Sequence, residues 1–288
     1  MKFKLTALIL ALLPLFVSCG GNKNENQNQN QNQNESEATS KTLVLYYSQT
    51  GATKTVAELL KADLGADIDS IVPKDSYGTD YEATIQRWQK EKNDNVKVAI
   101  KQLSANINDY DTIFLGFPIW GGTFASPVAT WLADNNLKGK TVITFATFGS
   151  GGIEAATKDV ALAQPSANVI EGFGIRNARI DKAPAEIKSF LIDNGYIAGE
   201  KSTIPEYGET APVTEEDVKV FNEACGNYQF PLGTPISVAR RQINGATEYC
   251  FNVESDGPDG KKANSIIYVT SCPDQKPEFT KVVRQSHL

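Results

Sequence analysis

The chain has 288 residues, of which 41% are hydrophobic, 22% charged and 9% aromatic. That length suggests one large domain or two small ones, the apolar fraction is too high for a disordered chain, and a mean hydropathy of -0.30 is too low for a multispanning membrane protein. Lys+Arg 28 against Asp+Glu 34 gives a net charge of -6, a poor match for nucleic acid, while a single histidine, His287, and four cysteines without a C-x-x-C pair disfavour histidine catalysis and metal binding.

Residues 1–18 read as an export signal. Lys2 and Lys4 supply the positive start, and Leu5 to Val17 form an apolar run, interrupted by Pro14 and shorter than the ~20 residues of a membrane span. The run ends in Phe16-Val17-Ser18-Cys19-Gly20, which resembles a bacterial lipobox with Phe16 where Leu is usual. The resemblance implies a lipid on Cys19 as the new amino terminus, so that the mature protein is exported and anchored to a membrane of the cell envelope. An ordinary cleaved signal with a chance cysteine is the other reading. Loss of Lys2 and Lys4 leaves 26 basic against 34 acidic residues, a net charge of -8. Residues 19–40 are rich in Asn and Gln and hold no apolar side chain between Asn22 and Glu37, which fits a tether better than a folded segment.

Residues 41–197 read as an α/β domain. Thr42 to Tyr47 is a continuous apolar run, the mark of a strand buried on both faces of a parallel sheet. Ser48-Gln49-Thr50-Gly51-Ala52-Thr53 follows as a loop, then Val56, Leu59, Leu60 and Leu64 recur at helical spacing until Gly65. Strand, hydroxyl-rich loop and helix together aim backbone N–H groups and a helix dipole at an anion. Asp75 to Gln102 is charged and carries Tyr77, Tyr81 and Trp88. It reads either as a mouth near a ligand or as a solvated amphipathic helix resting Ile85 and Trp88 on the sheet. Thr112 to Phe117 is a second buried strand, leading into Pro118-Ile119-Trp120-Gly121-Gly122-Thr123 and a helix expected to be capped by Ser126, with Phe124, Val128, Trp131 and Leu132 inward. Thr141 to Ala146 is a third strand, followed by Thr147-Phe148-Gly149-Ser150-Gly151-Gly152 and another helix. Val169–Phe173 and Ala183–Asn194 supply a last strand and a closing helix. The alternation predicts a doubly wound parallel sheet with its ligand loops at the strand carboxyl ends.

The loop from Ser48 to Thr53 resembles the phosphate loop of the flavodoxins. Gly116-Phe117-Pro118-Ile119-Trp120 resembles a flavodoxin-like subfamily with a Gly-x-Pro-Ile-Trp loop, and Thr147 to Gly152 resembles its third flavin-contacting loop. The resemblance implies FMN as cofactor. Ser48, Gln49, Thr50, Gly51, Ala52 and Thr53 would hold the phosphate; Pro118, Ile119, Trp120 and Gly121, with Thr147, Phe148, Gly149, Gly151 and Gly152, would meet the ring. Trp120 is the leading stacking candidate, ahead of Phe148 and Trp88. The family often has Asn in place of Ala52 and a second aromatic in place of Gly121. The resemblance implies electron transfer with a redox partner of unknown identity, or flavin-dependent reduction; the alternative is a non-enzymatic binding protein on the same fold that has lost FMN.

Residues 198–213, with Pro205, Gly208 and Pro212, read as a linker, and residues 214–288 as a smaller α+β domain. Thr214-Glu215-Glu216-Asp217 is a capped helix start, with Val218, Phe221 and Cys225 on one face. Ile236–Arg241, Thr247–Glu254, Ser265–Ser271 and Phe279–Val283 read as strands, with a hairpin loop at Asp256 to Gly260. The stretch from Gln242 to Phe251 resembles the cystatin-like fold through Gln242, Thr247, Tyr249 and Phe251. Asn244 and Ala246 break the inhibitory loop, so the resemblance implies a fold and not a protease inhibitor. With Cys19 lipidated, Cys225, Cys250 and Cys272 remain; a Cys250–Cys272 bridge is the preferred pairing and three free thiols the alternative.

Overall fold

The computed structural model describes residues 41–243, 245–256 and 261–284. The export signal, Cys19, the Asn/Gln-rich segment, most of the Asp256–Gly260 loop and His287 lie outside the described residues. Those described form one compact unit that carries two sheets.

The first sheet grows from buried apolar strands. β1 (Thr42–Tyr46) leads into helix α1 (Ala52–Leu64), which ends on Gly65 in the left-handed region at φ 61°. β2 (Asp67–Ser70) and α2 (Tyr81–Asn93) follow. β3 (Thr112–Trp120) turns sharply into the short β4 (Thr123–Phe124) and then α3 (Ser126–Asp134). β5 (Thr141–Phe148), α4 (Glu154–Ala163), β6 (Asn168–Arg176) and α5 (Ala183–Asp193) complete the layer structure. The parallel order is β2-β1-β3-β5-β6, with β4 paired antiparallel to β3.

Alternation along the strands divides the core in two. Leu43, Leu45, Ile113, Leu115 and Phe117 face α3 and α4, together with Val128, Trp131 and Val160. Val44, Phe114, Ile143 and Phe145 face α1 and α5, together with Val56, Leu60, Ile187 and Leu191. Because strand order reverses between β1 and β3, the chain leaves β1 for the α1 face and β3 for the α3 face, which opens a crevice beyond their paired carboxyl ends.

Gly116 shows how tightly the centre is filled. A Cβ at this position would run into the Phe145 ring. Gly116→Ala should therefore destabilise the protein by about 1–3 kcal/mol through overpacking. Urea unfolding followed by tryptophan fluorescence checks it, and an unchanged midpoint refutes it.

The second sheet is antiparallel, in the order β11-β10-β9-β8-β7. β7 (Ala211–Pro212) precedes α6 (Glu215–Cys225), and β8 (Thr234–Ile243), β9 (Ala246–Asp256), β10 (Lys262–Ser271) and β11 (Glu278–Arg284) form a meander. Helix α6 carries the expected capping box between Thr214 and Asp217. Phe221 and Cys225 pack with Val220, Phe251, Val253 and Ile267, while Val218 stays half-exposed, so the buried stripe is rotated from the expected face.

Four expectations need correction. Ala125, not Ser126, is the N-cap of α3; Ser126 is its first helical residue, and Phe124 belongs to β4. The polar strand β2 was not evident in the sequence, because its burial is slight and its pairing is with β1 alone. The stretch read as a linker ends in β7, which pairs with β8; Gly208 donates to the Arg240 carbonyl at 2.9 Å, and Arg241 lies 4.4 Å over the Tyr207 ring. Cys250 and Cys272 do not bridge, and Cys225, Cys250 and Cys272 are free thiols. Cys250 stands opposite Tyr268, four positions short of Cys272, which separates the two by about 13 Å along the strand, whereas a disulfide needs Cα atoms within ~7 Å.

Candidate functional site

The three loops flagged by sequence converge at the carboxyl edge of the first sheet. Register places Tyr46 beside Gly116, and Pro118 beside Thr147, so the ends of β1, β3 and β5 are neighbours.

The first loop ends on Gly51, the N-cap of α1, at φ 100° and ψ -22°. No side chain caps this helix and its first turn holds no acidic residue. Its first-turn N–H groups, Ala52 to Lys54, are those a helix cannot satisfy internally. Ser48 folds back so that its hydroxyl accepts the Gly51 N–H at 3.2 Å, and Thr50 stands exposed at the rim. Uncapped amides, a helix dipole and the Ser48 and Thr50 hydroxyls thus share one loop with no carboxylate on it or on the first turn, which is the chemistry an anion such as a phosphate needs.

Two neighbours of this loop are already engaged. The Thr53 hydroxyl pairs with the Thr147 hydroxyl at 2.8 Å, and both residues are buried. Thr53 thus stitches the first loop to the third by its side chain and leaves its amide to the anion site. Gln49 donates to the Gly78 carbonyl at 3.1 Å and to the Thr84 hydroxyl at 2.5 Å, which ties the loop to α2. A cleft of about 380 Å³ opens beside it, lined by Tyr46, Tyr47, Gln49, Val72, Ser76 and Tyr77.

The second loop is a two-residue hairpin between β3 and β4. Gly121 and Gly122 both take positive φ, 54° and 88°, which a tight turn of this kind requires. Pro118 and Ile119 are half-buried and Gly121 is exposed. Trp120, the expected stacking residue, is instead a core side chain at 6% exposure. Tyr77 and Tyr47 meet it edge to face at 4.8 and 5.8 Å between ring centres. Trp120 joins the cluster of Phe117 and Leu115, although strict strand alternation would set position 120 on the face opposite to 115 and 117, so the end of β3 departs from the regular pleat. Phe148 is buried as well. Of the three candidate aromatics, Trp88 is the one that is not buried. It is half-buried on α2, and its ring lies so close over Gly121 that a Cβ there would collide with it. The distance between positions 88 and 121 hides this contact from any sequence pattern.

Behind the aromatics sits a charged network. Tyr77 donates to Glu91 at 2.6 Å, Arg87 donates to the same carboxylate at 2.8 Å, and the guanidinium lies 3.8 Å over the Tyr77 ring. Burial raises the Tyr77 phenol, and its bond to Glu91 adds to that; burial likewise raises Tyr47. Both phenols are therefore neutral hydrogen-bonding groups at physiological pH.

The third loop runs Thr147, Phe148, Gly149, Ser150, Gly151, Gly152. Gly149 and Gly151 are exposed, and Gly152 turns at φ 75° into α4. A larger groove, about 850 Å³, is lined by residues 100–108 and 134–136, which lead into β3 and towards β5, and contains no residue of the three loops.

A family model described as flavodoxin matches residues 41–190, just over half of the chain. The chain belongs to the flavodoxin family. Solved structures similar to it include an inferred flavoprotein from Bacteroides eggerthii, at 33% identity and a TM-score of 0.45, covering 53% of this chain and 98% of that one. A flavoprotein in complex with FMN from Lactobacillus acidophilus is 28% identical, with a TM-score of 0.41, covering 50% of this chain and 97% of that one. Comparison with curated proteins returned no match. The matched flavodoxin segment ends before the second sheet begins.

Proposed function

We propose that this flavodoxin binds FMN and carries electrons at a membrane of the cell envelope, held there through a lipid on Cys19. The reading rests chiefly on the uncapped, carboxylate-free start of α1 beneath the Ser48–Thr53 loop, at the crevice between β1 and β3. The amides of Ala52 to Lys54 and the hydroxyls of Ser48 and Thr50 would hold the phosphate. The backbone at Pro118–Gly121 and Gly149–Gly152, with the Trp88 ring, would flank the flat part of the cofactor. FMN, when bound, supplies one- or two-electron redox chemistry. The chain's own task is then to bind, to orient and to limit water, and the neutral Tyr47 and Tyr77 phenols add no charge beside the ring. The FMN complex of the Lactobacillus acidophilus flavoprotein, a similar chain, accords with this reading.

A direct titration tests it. Purified protein should quench FMN fluorescence with saturation at one equivalent and acquire a flavin absorbance band that survives desalting. The burial of Trp120 favours a second reading, a flavodoxin fold that binds a partner without flavin. Failure to quench or retain FMN, under conditions where the protein is folded by circular dichroism, would leave only that reading.

A further inference from the structure

The family model leaves the second sheet unexplained, but its contacts with the first sheet are concentrated at one place. Ser150, at the tip of the third loop, accepts the Tyr228 hydroxyl at 2.5 Å, and its carbonyl accepts the Val282 N–H of β11 at 2.9 Å. Arg176, the last residue of β6, donates through Nε to the Gly149 carbonyl at 2.7 Å and through Nη1 to the Phe279 carbonyl at 2.7 Å. Its guanidinium lies 4.1 Å over the Phe279 ring. One step further, Lys281 pairs with Glu154, the first residue of α4, at 2.5 Å. Arg179 adds an outer link, bridging Glu186 at 2.7 Å and Glu278 at 3.1 Å.

The third loop has every reason to need such support. Gly149, Gly151 and Gly152 give it little side-chain packing of its own, and glycine loses more conformational freedom on ordering than any other residue. A loop that must be ordered by its ligand binds that ligand more weakly, by the ordering entropy. Here the ordering is supplied within the chain. Ser150 is turned toward the second sheet, whereas Gly149 and Gly151 remain exposed.

We infer that the C-terminal helix and sheet are a scaffold for the third loop, with Arg176 and Tyr228 as positioning residues that set the affinity and reduction potential of the flavin. This rests on the FMN reading above, although the loop clamp can be tested without it. The test uses the full chain carrying Tyr228→Phe, Arg176→Gln or Arg176→Lys, with Asn252→Ala, which removes a bond to Ser237 within the second sheet, as control.

Tyr228→Phe and Arg176→Gln should each weaken FMN binding about tenfold, the equivalent of one hydrogen bond lost from the preorganised loop, and shift the midpoint potential. Arg176→Lys should restore part of the effect, and Asn252→Ala should leave both quantities unchanged. Amide hydrogen exchange should speed up across residues 149–153 in the first two variants. Unchanged affinity, potential and loop exchange in both variants would overturn the scaffold. Faster loop exchange in a protein that takes up no FMN would keep the loop clamp and discard its effect on flavin together with the flavin reading.

Discussion

Gly51→Ala should weaken FMN binding by about two orders of magnitude, because two charge-assisted phosphate contacts of ~1.5–3 kcal/mol each depend on the amides beside it. Open space surrounds the position, so the added methyl group meets nothing. The effect comes entirely from the backbone. At φ 100° and ψ -22° an L-residue with a side chain carries about 1–3 kcal/mol of strain, which the chain relieves by rotating the loop. That rotation re-aims the N–H groups of Ala52 and Thr53, while α1 itself keeps its buried face on Val56, Ala57 and Leu60. The expected signature is a large rise in Kd by fluorescence titration with only a modest loss of stability. Wild-type affinity in a folded Gly51→Ala variant would refute the phosphate role of this turn.

Asp217→Ala should lower stability by about 3 kcal/mol, the sum of a lost helix cap and a stranded, partly exposed Arg240. Asp217 is 3% exposed, yet it accepts from the Thr214 N–H at 2.8 Å, the Thr214 hydroxyl at 2.7 Å and Arg240 Nε at 3.1 Å. A second guanidinium nitrogen bonds its other oxygen. Burial alone would raise this carboxyl; the hydrogen bonds from Arg240 and Thr214 more than offset that and hold it below the ordinary carboxylate range. A carboxyl whose folded value is lowered stabilises the protein above its unfolded value and loses that contribution as pH falls through the folded one. The Asp217 contribution should thus be complete at neutral pH and fade below about pH 4. Glu154, also lowered against burial by its bond to Lys281, fades in the same direction, so acid loosens the third-loop clamp as well. All three tryptophans, Trp88, Trp120 and Trp131, lie in the first sheet's layers, so their fluorescence reads the first sheet, while far-UV circular dichroism reads the backbone of both. Asp217→Ala should move the dichroism midpoint in urea more than the fluorescence midpoint. Equal stability of wild type and variant across pH 3–7 would refute the role given to Asp217.

What was legible in the chain was what short-range physics controls. β1, β3 and β5 are continuous apolar runs because both of their faces are covered, and that covering is a property of parallel sheets. Thr214 and Asp217 announce α6 because a capping box acts over one turn. The Ser48–Thr53 loop is readable for the same reason, its residues being adjacent in sequence and in space. β2 was not legible. Its polar side chains find partners far along the chain, with Asp67 accepting the Tyr110 hydroxyl at 2.9 Å and Asp69 accepting the Ser104 and Ala105 amides at 2.7 and 2.8 Å.

By itself, then, the sequence determined the alternation of strands and helices, the order of the three loops and the uncapped, carboxylate-free turn at Gly51, since each depends on residues a few positions apart. Only the tertiary structure decided which of the three candidate aromatics stays partly exposed. Packing against Tyr47 and Tyr77 buried Trp120, and a contact across 33 positions brought Trp88 over Gly121. The tertiary structure also turned the Thr53 hydroxyl to Thr147 and laid β11 against the third loop, because packing and hydrogen bonds between distant segments form only once the sheets are assembled.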